Sequence, residues 1–580
     1  MSFLSRIMIV KSRAHFSSGS RGRGSEKASF EGTRKRKSAQ AKNRVGLLIA
    51  GFAVFYCVIG GRLMQYGVAQ PLTTSSILPA DRLLASRPDL VDRNGAVLAT
   101  DIRTVSLFAE PNKIIDADEV IEKLSTVLND LDVKGTYSKL TSNSRFQWLR
   151  RQLTPKQQSQ ILALGIPGIG FRPEKRRFYP GGPTAAHVVG YVNIDNRGVA
   201  GMERYVDNQG LADLAAVGMT SSQPLEPVKL SIDLRVQSIV RDVVTEAISK
   251  YSSIGAGAVV LDVHTGEVLA MASAPDFDPN NPAEGGEEGW FNRVSNGTFE
   301  MGSTFKSFTI AMGLDSGKVN LQSTFDARFP IRIGGFTIKD FHGKGRILSV
   351  PEIFQFSSNI GTAKIADTVG IEAHKDFLTK LGLLTKMHTE LPEVAYPSQP
   401  REWKKINSVT ISFGHGVSTT PLQTAVAGAA LVNGGKLVEP TFLPRTRAEA
   451  DKVATQVMKP TSSKDMRFLF EWNGVNGSGR NARVAGFNVG GKTGTADKVV
   501  NGRYAHDKNF NAFLAAFPMD NPQYVVLTFC DEPKTDKGNG AALAATSAAP
   551  MVKEIITRAA PILGVKPKFG NDGSALLVSY

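Results

Sequence analysis

The feature that most limits the architecture is VGLLIAGFAVFYCVIGG, residues 45–61, seventeen uncharged and mainly apolar residues extended by Leu63, Met64 and Tyr66 beyond Arg62. An unbroken apolar run has no polar face to offer solvent, and this one is about long enough to span a bilayer. Just before it, residues 1–44 carry twelve Lys or Arg against Glu26 and Glu31, including Arg34, Lys35, Arg36 and Lys37 in sequence. That tail holds +10 of the chain's net +16, so the basic balance belongs to one segment and argues against a nucleic-acid-binding surface. A basic flank beside an apolar span places the tail in the cytoplasm and everything after about residue 67 outside. A cleavable signal peptide would need a short charged leader and a small-residue cleavage site, and neither is present, so a retained single-pass anchor over 45–66 is expected.

The exported part must be held together by packing. The only cysteines are Cys57, inside the apolar run, and Cys530, so no disulfide can form there. A chain of 580 residues exceeds the ~100–200 of one domain. The stretch RPDLVDRNGAVLATD reads as a hairpin around Asn94-Gly95. Residues 118–165 show helical spacing through Val120, Ile121, Leu124, Val127 and Leu128 and on to Leu162, and FYPGGPTAAHVVGY returns to loop and strand. Together these predict a mixed, mostly extended module over 67–225, ending in the connector SSQPLEP. Beyond it, Val236, Ile239, Val240, Val243, Val244 and Ile248 mark one face of a helix. AGAVVLDVHTGEVLAMASAP follows as two strands around Thr265-Gly266. YVVLTFCDEP is another buried strand and AATSAAPMVKEIITRAAPIL a helix, giving an α+β domain over 226–565 and a short tail, 566–580.

Within that domain, TFEMGSTFKS puts Ser303 just after a glycine at the start of a helical stretch, with Lys306 one turn on and on the same face. A serine hydroxyl becomes a nucleophile when a neighbour takes its proton, which a lysine of depressed pKa can do. Taken alone, the pair is equally a helix cap and a solvated lysine. Two further motifs change that reading. Ser357-Ser358-Asn359 and Lys492-Thr493-Gly494-Thr495 follow in the order S-x-x-K, S-x-N, K-T-G of penicillin-interacting serine enzymes. Alone, Ser357 and Asn359 would be helix caps and the last motif a turn at a strand edge.

On these three motifs the sequence resembles the class B penicillin-binding proteins, membrane-anchored peptidoglycan transpeptidases, and among them the septal, FtsI-type enzymes of cell division. The resemblance extends to RPDLVDRNGAVLA, RRFYPGG with Ala186-His187, GVAGMERYVD around Glu203, LDVHTGEVLAMASAPDFDPN and GHGVSTTPLQTA. Met301 departs from it, since the family commonly has proline there. The resemblance implies an anchor, a non-catalytic pedestal and a C-terminal transpeptidase domain in the inner membrane, with the catalytic part periplasmic and at the septum. It implies that Ser303 attacks the D-Ala-D-Ala carbonyl of a stem peptide and that Lys306 is the base. Ser357 would relay a proton between Lys492 and the leaving nitrogen, and Asn359 would bind the substrate amide. Thr493 and Thr495, flanking Gly494, would bind the terminal carboxylate with Lys492, and the N–H groups of Ser303 and Thr495 would form the oxyanion hole. The segment 495–499 would be an edge strand on which substrate lies as an added strand. Implied partners are stem peptides, β-lactams, the membrane, a glycosyltransferase of the SEDS family and other division proteins. No cofactor, metal or nucleic acid is implied, because acyl transfer exchanges one amide for another.

Four rival readings differ by class. A serine β-lactamase would add a deacylating water and has no need of an anchor and pedestal. A β-lactam sensor would need a cytoplasmic output domain larger than residues 1–44. A division scaffold would act through contacts without chemistry, and an elongation-type transpeptidase would do the same chemistry along the side wall.

Overall fold

The computed structural model describes residues 50–61, 87–210, 225–500, 502–535 and 542–569. The basic tail 1–44 lies outside them. Of the expected anchor, residues 50–61 are described and form a helix with its side chains exposed. Among the described residues no helix is long and apolar enough to cross a membrane. Residues 1–76 and 77–580 form separate compact units, and the second carries every strand found among the described residues.

The first part of this second unit is built on strands β1 (Leu90–Val91), β2 (Val97–Ala109), β3 (Gln147–Leu153), β4 (Ile169–Phe178) and β5 (Val228–Lys229). The order is β3-β2-β1-β5, with β4 also paired to β2. The hairpin forms as its sequence indicates, with Leu90 opposite Ala99 and Gly95 at φ 90° in the turn. Three expectations are corrected. The stretch 118–165 is not all helical, because β3 lies between helices Val133–Leu140 and Pro155–Ala163. QWLRRQL carries no clean alternation and becomes a strand by pairing with β2. FYPGGPTAAHVVGY forms no strand beyond its first residue; it makes a 3-10 turn, Gly182–Ala185, and a short helix, Ala186–Val189. The module's sheet also continues past its expected end at 225, since β5 pairs parallel with β1.

A buried ionic knot ties this part together. Glu203, with no exposed surface, accepts from Arg87 Nε at 3.0 Å and Arg177 Nε at 2.7 Å, and Arg177 also reaches Asp101 at 3.2 Å. Two buried guanidiniums around one buried carboxylate satisfy charges that would otherwise be costly to remove from water.

The second part is a five-stranded antiparallel sheet between helices. Its elements are helix α1 (Leu234–Tyr251), strands β6 (Gly255–Asp262) and β7 (Val268–Ala274), and helix α2 (Lys306–Asp315). A small hairpin follows, β8 (Ile331–Ile333) and β9 (Phe336–Ile338), then helices α3 (Val350–Phe356), α4 (Asn359–Val369) and α5 (Pro421–Val432). Strands β10 (Gly490–Val500), β11 (Arg503–Phe517) and β12 (Tyr524–Asp531) and helix α6 (Ala548–Ala559) complete it. The strand order β10-β11-β12-β6-β7 leaves β10 at an edge. The period of two sorts the side chains between faces. Ala258, Val260, Phe513 and Val526 pack with Val240 and Val244 of α1 and Val552 and Ile556 of α6. Val259, Leu261, Leu514 and Leu527 pack with Phe308 of α2 and Leu422 of α5. Burying each such aliphatic side chain contributes about 1.5–3 kcal/mol. Both faces being covered explains why these strands read as continuous apolar runs.

Candidate active site

The nucleophile's position follows from glycines. Gly302 takes φ 50°, in the left-handed region, and opens a 3-10 turn, Gly302–Phe305, that leads into α2. Ser303 therefore stands in the 3-10 turn that leads into α2, at the helix start that the sequence indicated. A Cβ on Gly302 would stand 2.6 Å from the Thr495 carbonyl oxygen, so only glycine lets the turn lie this close against β10. From the other side, Gly414 at φ 94° packs so closely that a Cβ there would fall on the Gly302 carbonyl oxygen. Met301, at the position where resemblance gave proline, has φ −83° and is buried; its carbonyl accepts from Thr304 Oγ1 at 2.7 Å.

Lys306, the first residue of α2, is 1% exposed, and its Nζ lies 3.0 Å from Ser303 Oγ, 2.9 Å from Ser357 Oγ and 2.5 Å from the Ser357 carbonyl. Ser357 is not a helix N-cap. It closes α3 at φ 55° and ψ 45°, a left-handed conformation uncommon for a residue with a Cβ, and Ser358 caps α4 instead. That conformation turns both the hydroxyl and the carbonyl of Ser357 toward Lys306, so the strain serves positioning. Lys492, on β10 with no exposed surface, donates to Ser357 Oγ at 3.1 Å and to the Thr493 carbonyl at 3.1 Å. The four side chains form one chain of contacts, Ser303–Lys306–Ser357–Lys492, drawn from a turn, a helix, a helix end and an edge strand.

The remaining motif residues surround it with their own partners. Thr493 Oγ1 donates to Ser478 Oγ at 2.6 Å, and Thr495 Oγ1 accepts from the Ala544 N–H at 3.1 Å. Gly494 lies against the Met301 carbonyl and leaves no room for a side chain. Asn359, expected to face substrate, donates its Nδ2 to the Lys339 carbonyl at 2.9 Å. Sequence reasoning missed Asp340, whose carboxylate accepts from Ser358 Oγ at 2.7 Å and from the Ile360 N–H at 2.9 Å, pinning the start of α4. It also missed Ser478, and it gave Gly414 only as the start of GHGVSTTPLQTA, without its contact on Gly302. Asp340 and Ser478 belong to none of the quoted motifs, and only the tertiary fold brings them here.

Two buried lysines within reach of one hydroxyl cannot both stay charged at low cost. Burial first, and the Lys492 charge second, push the Lys306 amine well below the ordinary lysine range. Burial pushes Lys492 down to about 7. The neutral Lys306 amine can accept a proton from Ser303, while Lys492 holds its charge only below about 7 until a carboxylate arrives to favour it. A bell-shaped pH dependence of the second-order acylation rate is therefore expected. On the acid side the rate falls as Lys306 gains a proton, and on the alkaline side it falls as free Lys492 loses one, from about pH 7 upward. Stopped-flow acylation by a carboxylate-bearing penicillin across the acid and alkaline ranges measures it, and a rate that keeps rising through the alkaline range would contradict the role of the Lys492 charge.

Comparison with known proteins agrees with this geometry. The model of the penicillin-binding protein transpeptidase domain matches residues 256–557, and that of the penicillin-binding protein dimerisation domain matches 82–212. The chain is 38% identical over 493 residues to the probable peptidoglycan D,D-transpeptidase FtsI of Caulobacter vibrioides, covering 83% of this chain and 82% of that one. It is 33% identical to the probable peptidoglycan D,D-transpeptidase PenA of Neisseria gonorrhoeae, over 92% of this chain and 95% of the other. With the peptidoglycan D,D-transpeptidase FtsI of Escherichia coli it shares 30% identity, covering 81% and 83%. In fold it is similar to the crystal structure of penicillin-binding protein 3 from Mycobacterium tuberculosis in complex with aztreonam, with a TM-score of 0.64, 24% identity and coverage of 84% and 98%. A dimerisation domain followed by a transpeptidase domain, with relatives above 30% identity along most of its length, means that this chain belongs to the FtsI-type penicillin-binding proteins.

Proposed function

We propose that the protein is a peptidoglycan D,D-transpeptidase that cross-links stem peptides through a Ser303 acyl-enzyme during septal wall synthesis. The observation that carries this reading is the unbroken contact chain from Ser303 Oγ through Lys306 Nζ and Ser357 Oγ to Lys492 Nζ, each step 2.9–3.1 Å. Ser303 Oγ attacks the carbonyl of the penultimate D-alanine while its proton passes to Lys306 Nζ. The C–N bond then breaks, and the departing amine takes a proton through Ser357 Oγ, releasing D-alanine. In the second half, the amine of another stem peptide attacks the ester and gives up a proton by the reverse route. The C–O bond to Ser303 breaks and the hydroxyl is restored. Ser303 and Thr495 N–H groups serve as the oxyanion hole, where removing one donor typically costs ~10²-fold or more. Lys492, Thr493 and Thr495 receive the terminal carboxylate. Asn359 exchanges its bond to the Lys339 carbonyl for one to the substrate amide. A β-lactam follows the first half-reaction and stops there.

The apolar run 45–66 fits a single-pass anchor in the inner membrane, with residues 1–44 cytoplasmic and domains 67–225 and 226–565 periplasmic. A SEDS-family glycosyltransferase supplying glycan strands and other division proteins are the partners this reading implies. Full-length protein supplied with glycan strands bearing D-Ala-D-Ala stem peptides is expected to release D-alanine in step with new cross-links, both blocked by penicillin. D-Alanine release without cross-links would favour a hydrolase. A fluorescent fusion at midcell supports the septal assignment, and one confined to the side wall would move it to elongation.

A further inference from the structure

Between α2 and α3 the chain extends an arm, residues 327–346, ARFPIRIGGFTIKDFHGKGR, built on the β8–β9 hairpin. Its inner side is committed to packing. Ile331 and Ile338 pair across the hairpin and, with Ile333, pack on Ala363, Val409 and Phe413. The three phenylalanines of the arm are left out of that packing. Phe336, next to the Gly334-Gly335 turn, is 67% exposed, and Phe329 and Phe341, two and three residues beyond the Ile331–Ile338 pair, are 70% and 78% exposed. Large exposed rings grouped on one projection mark an interaction surface more often than scattered ones do.

The arm also carries five basic residues against the single acidic Asp340. Arg328 and Arg346 are paired with Asp326 and Glu352 at the arm's roots, and the Asp340 carboxylate is spent on Ser358 and Ile360. Arg332, Lys339 and Lys344 remain exposed, with no anionic side-chain partner among the described residues. The arm is therefore an aromatic and cationic surface. It is fixed to the start of α4, which follows Ser357 in the chain, by Asp340 on Ser358 and Ile360 and by the Lys339 carbonyl on Asn359.

We infer that this arm is a docking surface for the glycan–peptide strand that presents the stem peptide. Sugar rings would rest on Phe329, Phe336 and Phe341, and stem-peptide carboxylates would meet Arg332, Lys339 and Lys344. The inference rests on the transpeptidase reading of the site. Pyranose rings present apolar C–H faces that suit exposed aromatic rings, and stem peptides are anionic, so the strand matches both halves of the surface. An anionic membrane would match them too. The rooting of the arm on the motif that begins α4 favours the substrate, because it joins the surface to the reacting end of the strand.

The test is sedimentation of full-length detergent-solubilised protein with purified insoluble peptidoglycan. The Phe329→Ser/Phe336→Ser/Phe341→Ser variant is expected to bind at least about tenfold more weakly, a loss of about 1.4 kcal/mol. Arg332→Glu is expected to weaken binding and to reduce its salt dependence. These side chains are solvent-exposed, so the fold should survive, and labelling of Ser303 by a fluorescent penicillin reports the catalytic centre separately. If the triple variant sediments like the wild type, the inference is overturned. It is equally overturned if the arm governs binding to phosphatidylglycerol vesicles while peptidoglycan binding is unchanged. Wild type that fails to label at Ser303 would instead bring down the transpeptidase reading itself.

Discussion

Lys306→Arg is expected to lower the acylation rate of Ser303 by about 10²–10⁴-fold, the range for loss of a positioned general base. Arginine keeps the positive charge and cannot shed its proton in a protein. At Lys306 the environment is arranged for the opposite state, with 1% exposure and Lys492 close by both favouring the neutral amine. Lys492→Arg should be milder, retaining a measurable part of the rate, because the role assigned to Lys492 is that of a cation facing the substrate carboxylate and the Ser357 hydroxyl. The structure adds a reason for some loss even there. Lys492 is fully buried, its Nζ is fitted between Ser357 Oγ and the Thr493 carbonyl, and a guanidinium is bulkier than an ammonium. Time courses of penicillin acylation with both full-length variants, checked for folding by circular dichroism, decide the matter. Equal loss in the two would show that the lysines do not divide the work in this way.

Gly414→Ala is expected to cost about 10²-fold in acylation, the effect of moving a reacting group by about 1 Å. Two consequences of the added methyl group can be separated by a control. An alanine at φ 94° is strained wherever it sits, by about 1–3 kcal/mol. At Gly414 the methyl would also strike the Gly302 carbonyl and push the turn that carries Ser303. Gly416, two residues on, has φ 92° but only the Ile411 and Thr410 side chains nearby, at 3.7 Å. Gly416→Ala should therefore share the loss of stability and keep most of the acylation rate. Thermal unfolding and penicillin acylation of both variants test this, and similar acylation rates would mean that the Gly414–Gly302 contact does not position the nucleophile.

The contrast between these glycines marks where the sequence was legible and where it was not. Ser303, Lys306, Ser357 and Lys492 could be picked out because each lies in a short pattern whose chemistry is set by local spacing. Ser303 and Lys306 lie three residues apart at the start of one helical stretch, and Lys492 opens the K-T-G motif that follows the other two in order. The two-strand reading of 256–275 and the terminal helix also emerged as expected, since both faces of the sheet are buried and the signal is strong. Strand β3 was hidden because its residues are half-polar on both sides and its identity comes from pairing with β2. Asp340 and Ser478, and the contact that Gly414 makes on Gly302, were invisible for a related reason. Each acts on a motif residue distant in sequence, and nothing local to it distinguishes a carboxylate that pins a helix start from one that is merely solvated. Ser357 shows a subtler limit, since its motif was recognised while its left-handed backbone, which aims the hydroxyl and carbonyl at Lys306, could not be read from the letters.

The central claim, that Ser303 is the residue acylated, is tested most directly by mass spectrometry. Full-length protein is treated with a penicillin, digested, and the peptide carrying the penicilloyl group is sequenced. The account predicts one adduct, located on Ser303, absent from Ser303→Ala protein whose folding is intact. A penicilloyl group on any other residue of the wild type, or one that persists in Ser303→Ala, would contradict it.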